Sequence, residues 1–234
     1  MVAHPIDLAH LSPMSPDETA SLLVITGDQY LFRYRDRTGA TAYKFVSPAA
    51  VRSAFVHETI DTGWLPSTVR RWGVGRLGEW LLMTHPPRRY SFSFTADQGN
   101  ETVTRQITMP ALAFFGYGQK YYLWAFTDRE LNANSALFTA PLPNIEANGA
   151  ICFGQSALPQ ASTKTIGEAW NLFLTSPFSN HSVNGKSKAF PEDVRKQLES
   201  MAQANRRHYP LRDLVRLRET ASQMIDGIVR GIRG

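Results

Sequence analysis

The segment PLPNIEANGAICFG, residues 141–154, contains Cys152, the one cysteine in a chain of 234 residues. A lone cysteine is among the most buried residue types, so inert packing is the first interpretation of its role. Its neighbours favour a reactive thiol instead. Asn148 and Gly149 predict a turn just before Cys152, and Asn144 is close enough in sequence to fold back toward it. Core packing alone would require neither feature.

Composition predicts an ordinary globular protein. Hydrophobic residues make up 43% of the chain and include 13 Phe, 8 Tyr and 5 Trp, which suffices for a substantial core. No apolar run approaches the ~18 residues of a membrane span, and the N-terminal sequence lacks the basic and apolar regions of a secretory signal. A single cysteine cannot form an internal disulfide, which fits a reducing compartment. We therefore expect a cytoplasmic protein of one domain with appendages.

The net charge of +5 comes largely from arginines, many of them clustered, as in NRRHYPLRDLVRLR at residues 205–218. Such clusters are compatible with nucleic acid or with an acidic partner surface. A solvated basic face is the default interpretation of such charge. Charge alone therefore leaves the partner open.

The N-terminal part of the chain predicts strands. A loose arm at residues 1–17 precedes a β-rich stretch at residues 18–46, with turn signals at Gly27–Asp28 and Thr38–Gly39. Because side chains alternate along a strand, three arginines are predicted on one face of the second strand: Arg33, Arg35 and Arg37.

The middle of the chain predicts a short helix, a loop and then a sheet. Ser47 and Pro48 predict the N-cap and first position of the helix. Residues 61–78, DTGWLPSTVRRWGVGRLG, have no clear periodicity and predict a connecting loop. Five runs between residues 79 and 127, rich in aromatic and β-branched residues, predict an antiparallel meander: EWLLMTH, RRYSFSF, ETVTRQITMP, ALAFFGYG and KYYLWAFT.

The stretch Asp128–Pro159 is irregular and too long for an ordinary connector, which is typical of a functional loop. A helix that ends before Pro177 is predicted next, in TKTIGEAWNLFLTSPF. Further helices are predicted near Pro191 and after Pro210. The helix predicted in TKTIGEAWNLFLTSPF has four residues on its apolar face: Ile166, Ala169, Trp170 and Phe173.

Three other chemistries have little support. The stretch GVGRLG, residues 73–78, matches Gly-x-Gly-x-x-Gly, but a strand-like segment follows it where a phosphate-binding loop requires a helix, so we interpret it as a flexible loop. No Gly-x-Ser-x-Gly motif indicates a serine hydrolase. The histidines form no short pair typical of a zinc site: His4, His10, His57, His85, His181 and His208.

The stretch PNIEANGAIC, residues 143–152, resembles the active-site signature of ubiquitin-conjugating enzymes. The later helix TIGEAWNLFL resembles the one that follows the active cysteine in that superfamily. The segments DTGWLPSTVRRWG and SPFSNH resemble the protein B family of the PRTRC cassette, a divergent prokaryotic branch. The resemblance covers residues 47–185. The matched signature positions are Pro143, Asn144, Ile145, Asn148, Gly149, Ile151 and Cys152.

The resemblance implies an α+β fold, in which helices flank an antiparallel β-meander. The conjugating-like domain would span residues 47–190, after the loose arm and the β-rich extension at residues 18–46. A basic helical tail would follow at residues 191–234. The extension and the tail have no counterpart in a minimal conjugating domain, so they are candidates for partner recognition.

The chemistry implied by the resemblance is two successive acyl transfers through sulfur. Cys152 would take the C-terminal glycine of a small ubiquitin-like modifier from a thioester on a ThiF-like activating enzyme, and an amine would then attack the new thioester. The side-chain amide of Asn144 would stabilise the oxyanion of the second step. No metal or bound cofactor is required, because the activating enzyme consumes the ATP. The modifier and the activating enzyme are therefore the expected partners.

The loop SPFSNHS, residues 176–182, corresponds to one that faces the thiol in that superfamily. We therefore expect Asn180 and His181 to lie near Cys152. An imidazole, which titrates near neutrality, can accept the proton of the incoming amine. An exposed loop histidine without a catalytic role is the alternative.

Leu142 is a departure from the family pattern. A histidine that is regarded as supporting the loop usually stands before Pro-Asn, where this chain has leucine. The departure bears on the positioning of Asn144 more than on the role of Cys152.

Two other functions stay open. A non-catalytic adaptor of the same fold would bind the modifier or the ThiF-like enzyme and keep Cys152 as packing. A nucleic-acid-associated accessory protein would use the arginine clusters, since the PRTRC cassette is associated with a ParB-related protein. Thiol reactivity distinguishes the adaptor from the enzyme, and a steep salt dependence of binding identifies the accessory protein.

Overall fold

The computed structural model describes residues 13–15, 18, 20–25, 29–55, 63–95 and 101–231. The chain forms two compact units, Met1–Asp61 and Thr62–Gly234. Most of the arm predicted at residues 1–17 lies outside the described residues, as does the turn predicted at Gly27–Asp28. The domain boundaries inferred from the sequence stay predictions.

The described residues of the first unit form an antiparallel sheet of three strands in the order β1-β2-β3 and one helix: β1 (Ala20–Ile25), β2 (Gln29–Arg35), β3 (Thr41–Val46) and α1 (Pro48–Phe55). The strands and the helix predicted here are confirmed. As predicted, Ser47 caps α1, because its hydroxyl accepts the backbone N–H of Ala50 at 3.1 Å.

The three arginines predicted on one face of the second strand do not all lie in that strand. Arg33 and Arg35 belong to β2, whereas Arg37 lies in the turn that follows. The prediction is therefore wrong for Arg37. The carboxylate of Asp36 accepts two backbone N–H groups of the turn, at 2.8 and 3.0 Å, and this local bonding ends the strand.

The second unit contains eight described strands: β4 (Val69–Gly75), β5 (Gly78–His85), β6 (Arg88–Thr95), β7 (Thr102–Met109), β8 (Ala111–Tyr117), β9 (Lys120–Phe126), β10 (Ala136–Thr139) and β11 (Arg216–Thr220). Six of them form an antiparallel sheet in the order β11-β10-β9-β8-β5-β4. The five strands predicted between residues 79 and 127 are confirmed, but they are not one meander. β5 pairs directly with β8, and β6 and β7 form a separate hairpin.

Helices cover both faces of the six-stranded sheet. On one face, α2 (Ile166–Thr175) and α3 (Val194–Gln203) share a core with β5, β8 and β9. On the other face, α4 (Ala221–Val229) packs with alternate residues of the same strands, Trp80, Phe115 and Trp124 among them. The buried residues of α2 are the four predicted from its apolar face. None of the described helices is long and apolar enough to span a membrane.

The segment at residues 61–78, predicted as a loop, contains β4. Its glycines allow close packing, because a side chain on Gly73 would collide with the ring of Trp80 and one on Gly75 with that of Tyr117. The stretch GVGRLG therefore belongs to the β4–β5 hairpin, and the interpretation of it as a flexible loop is wrong. Two glycines interrupt the alternation of side chains, which is why the sequence pattern did not indicate a strand.

The C-terminal residues combine two helices with a strand that the sequence did not predict. After Pro210 the chain makes one 3-10 turn, Leu211–Asp213, and then β11, which pairs with β10. The last helix follows Pro210 as predicted, but α4 begins only at Ala221, after this turn and strand. Its start signal is a capping box, in which Thr220 and Gln223 each accept the other's backbone N–H.

His85, at the end of β5, is a buried histidine with one unsatisfied ring nitrogen. The residue is 7% exposed, its ring stacks on Trp170 at 3.9 Å between centroids, and Nε2 has no hydrogen-bond partner among the described residues. Burial, with a smaller effect from the charge of Arg88, lowers the pKa of His85 to about 4. The folded protein therefore keeps this imidazole neutral at pH values where an unfolded histidine is charged.

We expect His85 to reduce folding stability as the pH falls from about 6.5 toward 4. Over this range the unfolded chain binds a proton that the folded chain does not, so the free energy of unfolding should drop by about 2 kcal/mol between pH 7.5 and 5. The variant His85→Met removes this titration and keeps an apolar side chain beside Trp170. Urea denaturation of both proteins at both pH values measures the difference, in which the other titrating groups cancel. Equal pH dependence of the two proteins would contradict a neutral buried imidazole.

Candidate active site

Asn144 and Cys152 lie beside each other in the structure. The backbone N–H of Cys152 donates to the carbonyl of Asn144 at 2.8 Å, and Ile145 pairs with Ile151 as a short antiparallel bridge between them. Asn144 has φ = 58°, in the left-handed region, which asparagine tolerates better than most residues. The loop between the two residues therefore closes on itself.

The turn predicted at Asn148 and Gly149 is confirmed, and it is anchored to Trp124 of β9. The indole Nε1 of Trp124 donates to the carbonyl of Asn148 at 2.9 Å. Gly149 has φ = 93°, and a side chain there would collide with the indole. Because Trp124 is fully buried, the turn before Cys152 is tied to the sheet.

Cys152 is an exposed free thiol. The next residue, Phe153, is half-buried and makes edge contacts with Tyr121 and Phe173, which tie the following chain to the core. Trp170 and Phe173 belong to the buried face of α2, whereas the thiol of Cys152 is exposed to solvent. Inert packing, the first interpretation of a lone cysteine, does not describe this geometry.

The side-chain amide of Asn144 is oriented by the segment after α2. Its Oδ1 accepts the hydroxyl of Ser179 at 2.8 Å and the Ser179 backbone N–H at 3.3 Å. Its Nδ2 donates to the carbonyl of Pro177 at 3.4 Å, which is a long hydrogen bond. Because the oxygen of the amide is well bound and the nitrogen is not, the amide N–H groups can serve another acceptor.

His181 lies in the same segment, against Asn144. Its carbonyl accepts the backbone N–H of Asn144 at 2.8 Å, and its Nε2 lies 3.0 Å from Oε1 of Glu146. The hydroxyl of Ser182 also donates to Oε1 at 3.0 Å, and this bond, followed by His181, holds the pKa of Glu146 below its ordinary value. Asn180 is exposed in this loop, and among the described contacts its side chain has no hydrogen bond to the other site residues.

Lys186 is a buried residue beneath the loop that the sequence did not indicate. The residue is 2% exposed, and its Nζ donates to the carbonyl of Leu142 at 2.8 Å and to that of Ile145. Burial lowers the pKa of Lys186 to about 7, although the nearby charge of Glu146 raises it. Sequence reasoning also missed Glu146. Neither residue has a local signal, because the pairs Glu146–His181 and Leu142–Lys186 are 35 and 44 positions apart.

Each of these groups has chemistry that acyl transfer can use. An exposed thiol can act as a nucleophile, the amide of Asn144 can donate to a developing oxyanion, and the imidazole of His181 beside a carboxylate can accept a proton. In the part of the chain that the structure describes, no three His, Cys, Asp or Glu side chains are grouped so that they could hold a metal ion.

Comparison with known proteins connects this geometry to a family. Residues 42–217 match the family model of prokaryotic E2 family D, a ubiquitin-conjugating-like family. The match is longer than the region 47–185 covered by the sequence resemblance, and it includes Lys186 as well as the cysteine loop. No curated protein and no solved structure matches the chain. Because the family model spans well over half of the chain, the protein belongs to prokaryotic E2 family D and has the α+β fold of an E2-like protein.

Proposed function

We propose that this protein is a conjugating enzyme that carries a ubiquitin-like modifier as a thioester on Cys152 and transfers it to an amine. The observation that carries the proposal is the exposed thiol of Cys152, whose backbone is bonded to that of Asn144. The family relationship supports a modifier and an activating enzyme as partners, and we propose a ThiF-like protein as the activating enzyme. We assign the chain to the PRTRC protein B branch on the segments DTGWLPSTVRRWG and SPFSNH.

The proposed reaction has two steps at one carbonyl carbon. First, the Cys152 thiolate attacks the C-terminal carbonyl carbon of the modifier, a C–S bond forms, and the thiolate of the activating enzyme leaves. An amine then attacks the same carbon, and negative charge develops on the carbonyl oxygen, to which Nδ2 of Asn144 donates. Collapse of this intermediate expels the Cys152 thiolate and forms an amide. The nitrogen gives its proton to His181.

The neighbours of His181 support this proton transfer. When Nε2–H donates to Glu146, Nδ1 keeps its lone pair and can accept a proton. The carboxylate of Glu146 then stabilises the imidazolium that forms. Glu146 is thus proposed as the group that orients the imidazole.

We expect His181→Ala to slow discharge of the thioester to free lysine by about 10²-fold, because general bases contribute rate factors of this order. Charging of Cys152 should be unaffected, since that step takes no proton from an amine. The matched control is His208→Ala, which removes an exposed histidine outside the site. Unchanged discharge in His181→Ala would remove the imidazole from the mechanism.

Charging in solution tests the proposed function directly. The protein, incubated with its ThiF-like activating enzyme, modifier and ATP, should form an adduct with one modifier. The adduct should disappear on addition of a thiol reductant, because thiols cleave thioesters. No adduct with partners of verified activity would contradict the proposal and favour the adaptor, which binds the same partners without transfer.

Nucleic acid is a second candidate partner because of one basic cluster. Lys188, Arg206 and Arg212 line a single surface cavity. A DNA affinity that falls steeply with salt would support this role, since bound cations release counterions from the phosphates. Absent or salt-independent binding would contradict it. Several other arginines are already paired with carboxylates: Arg70, Arg71, Arg105 and Arg195.

A further inference from the structure

We infer that Lys186 is a positioning residue, which holds Asn144 in place through the backbone of the loop that leads to Cys152. Its Nζ bonds to two carbonyls, those of Leu142 and Ile145, which lie on either side of Asn144. One ammonium group thus ties both ends of the short segment that presents the Asn144 amide. The kinetic consequence of this inference rests on the proposed function, whereas its structural consequence does not.

Both carbonyls depend on this ammonium group. Leu142, Ile145 and Lys186 are all buried from solvent. Among the described hydrogen bonds, no backbone N–H donates to either carbonyl. Loss of the ammonium would therefore leave two buried acceptors without a donor, which destabilises the conformation that buries them.

Asn144 needs such support because its backbone adopts a sparsely populated conformation. A non-glycine residue in the left-handed region persists only where its surroundings determine it, and φ of Asn144 is 58°. Two backbone hydrogen bonds depend on this conformation: Asn144 N–H to the His181 carbonyl and Cys152 N–H to the Asn144 carbonyl, both 2.8 Å. A relaxed loop would break both bonds and with them the backbone contact that holds Asn144 beside Cys152.

A substitution can remove the N–H donors of Lys186 and nearly keep the volume of its side chain. The variant Lys186→Met keeps an unbranched side chain of similar length and removes every N–H donor. The matched control is Lys196→Met, because Lys196 is exposed on α3 and, among the described hydrogen bonds, its Nζ reaches neither the Leu142 nor the Ile145 carbonyl. A difference between the two variants reports on the buried donors.

Amide hydrogen exchange measures the structural consequence. In Lys186→Met, the amides of Asn144 and Cys152 should exchange at least about tenfold faster than in the wild type, because leaving a buried carbonyl without a donor costs a factor of that order. The same amides should be unchanged in Lys196→Met. Unchanged exchange in Lys186→Met would overturn the inference, whether or not the protein proves to be an enzyme.

Kinetics measure the functional consequence. Lys186→Met should charge Cys152 at a rate within about twofold of the wild type, and its discharge to free lysine should be about tenfold slower. In an Asn144→Gly background, adding Lys186→Met should slow discharge no further, because Lys186 acts through Asn144. Equal slowing in both backgrounds, or a loss of charging equal to that of discharge, would overturn the positioning role.

Two further results distinguish the positioning role of Lys186 from a folding defect and from a failure of the proposed function. If Lys186→Met does not fold, Lys186→Arg and Lys186→Gln replace it. Arginine keeps a cationic donor, so discharge should be faster in Lys186→Arg than in Lys186→Gln, and the reverse order would overturn the inference. Failure of the wild-type protein to charge would count against the proposed function alone, and amide exchange would then decide the role of Lys186.

Discussion

Replacing Cys152 with alanine should abolish the adduct between this protein and its modifier. The chain has one cysteine, so no other thiol can form the reductant-sensitive bond. The side chain is exposed, so its truncation leaves no cavity, and the folded state should be preserved. Mass spectrometry of the charging reaction, with and without reductant, measures the loss.

The control for this variant comes from the same loop. Ser156→Ala removes an exposed hydroxyl four residues after Cys152 and should charge like the wild type. An adduct that persists in Cys152→Ala would show that the modifier is attached elsewhere. That result would remove the thiol from the reaction, whatever the fold of the protein.

Asn144→Gly should slow discharge of the thioester to free lysine by about 10²-fold, which is the usual effect of losing one oxyanion donor. Glycine is the right replacement because it adopts φ = 58° without strain, so the loop keeps its backbone while the amide is lost. Charging of Cys152 should stay within a few-fold of the wild type. Single-turnover discharge of the purified, charged protein separates the two steps.

Two other substitutions at Asn144 distinguish the amide from the backbone. Asn144→Asp keeps the oxygen that accepts from Ser179 but has no N–H donor, so discharge should be at least as slow as in Asn144→Gly. Asn144→Ala loses the amide and also strains the left-handed backbone, so it should lose stability in addition. Normal discharge in Asn144→Gly would exclude the amide from oxyanion stabilisation.

Much of the fold could be predicted from local patterns. The apolar face of α2 and the strands between residues 79 and 127 follow from the helical and strand periods, which act over a few positions. The turn at Asn148 and Gly149 follows from the ease with which this pair turns the chain. These features depend on neighbouring residues alone, so the sequence contains them directly.

Two strands, β4 and β11, depend on contacts with distant parts of the chain. β11 is short and forms where it pairs with β10, about eighty residues earlier in the chain. β4 contains glycines that are unfavourable in an isolated strand, and they are accommodated because Trp80 and Tyr117 occupy the space that side chains would fill. Hydrogen bonding and packing across long separations outweigh local propensity here, and no local pattern reports them.

In the candidate site, too, some features follow from the sequence and others depend on tertiary contacts. The spacing of Asn144 and Cys152 within one signature was determined by the sequence, because a single tight loop brings them together. The partners of that loop were decided only by the tertiary structure. Lys186 donates to the carbonyl of Leu142, 44 positions away in the chain, because folding buries its amino group against that carbonyl and shields the bond from solvent. A sequence pattern records which residues are near along the chain, whereas burial and charge pairing depend on which residues meet in space.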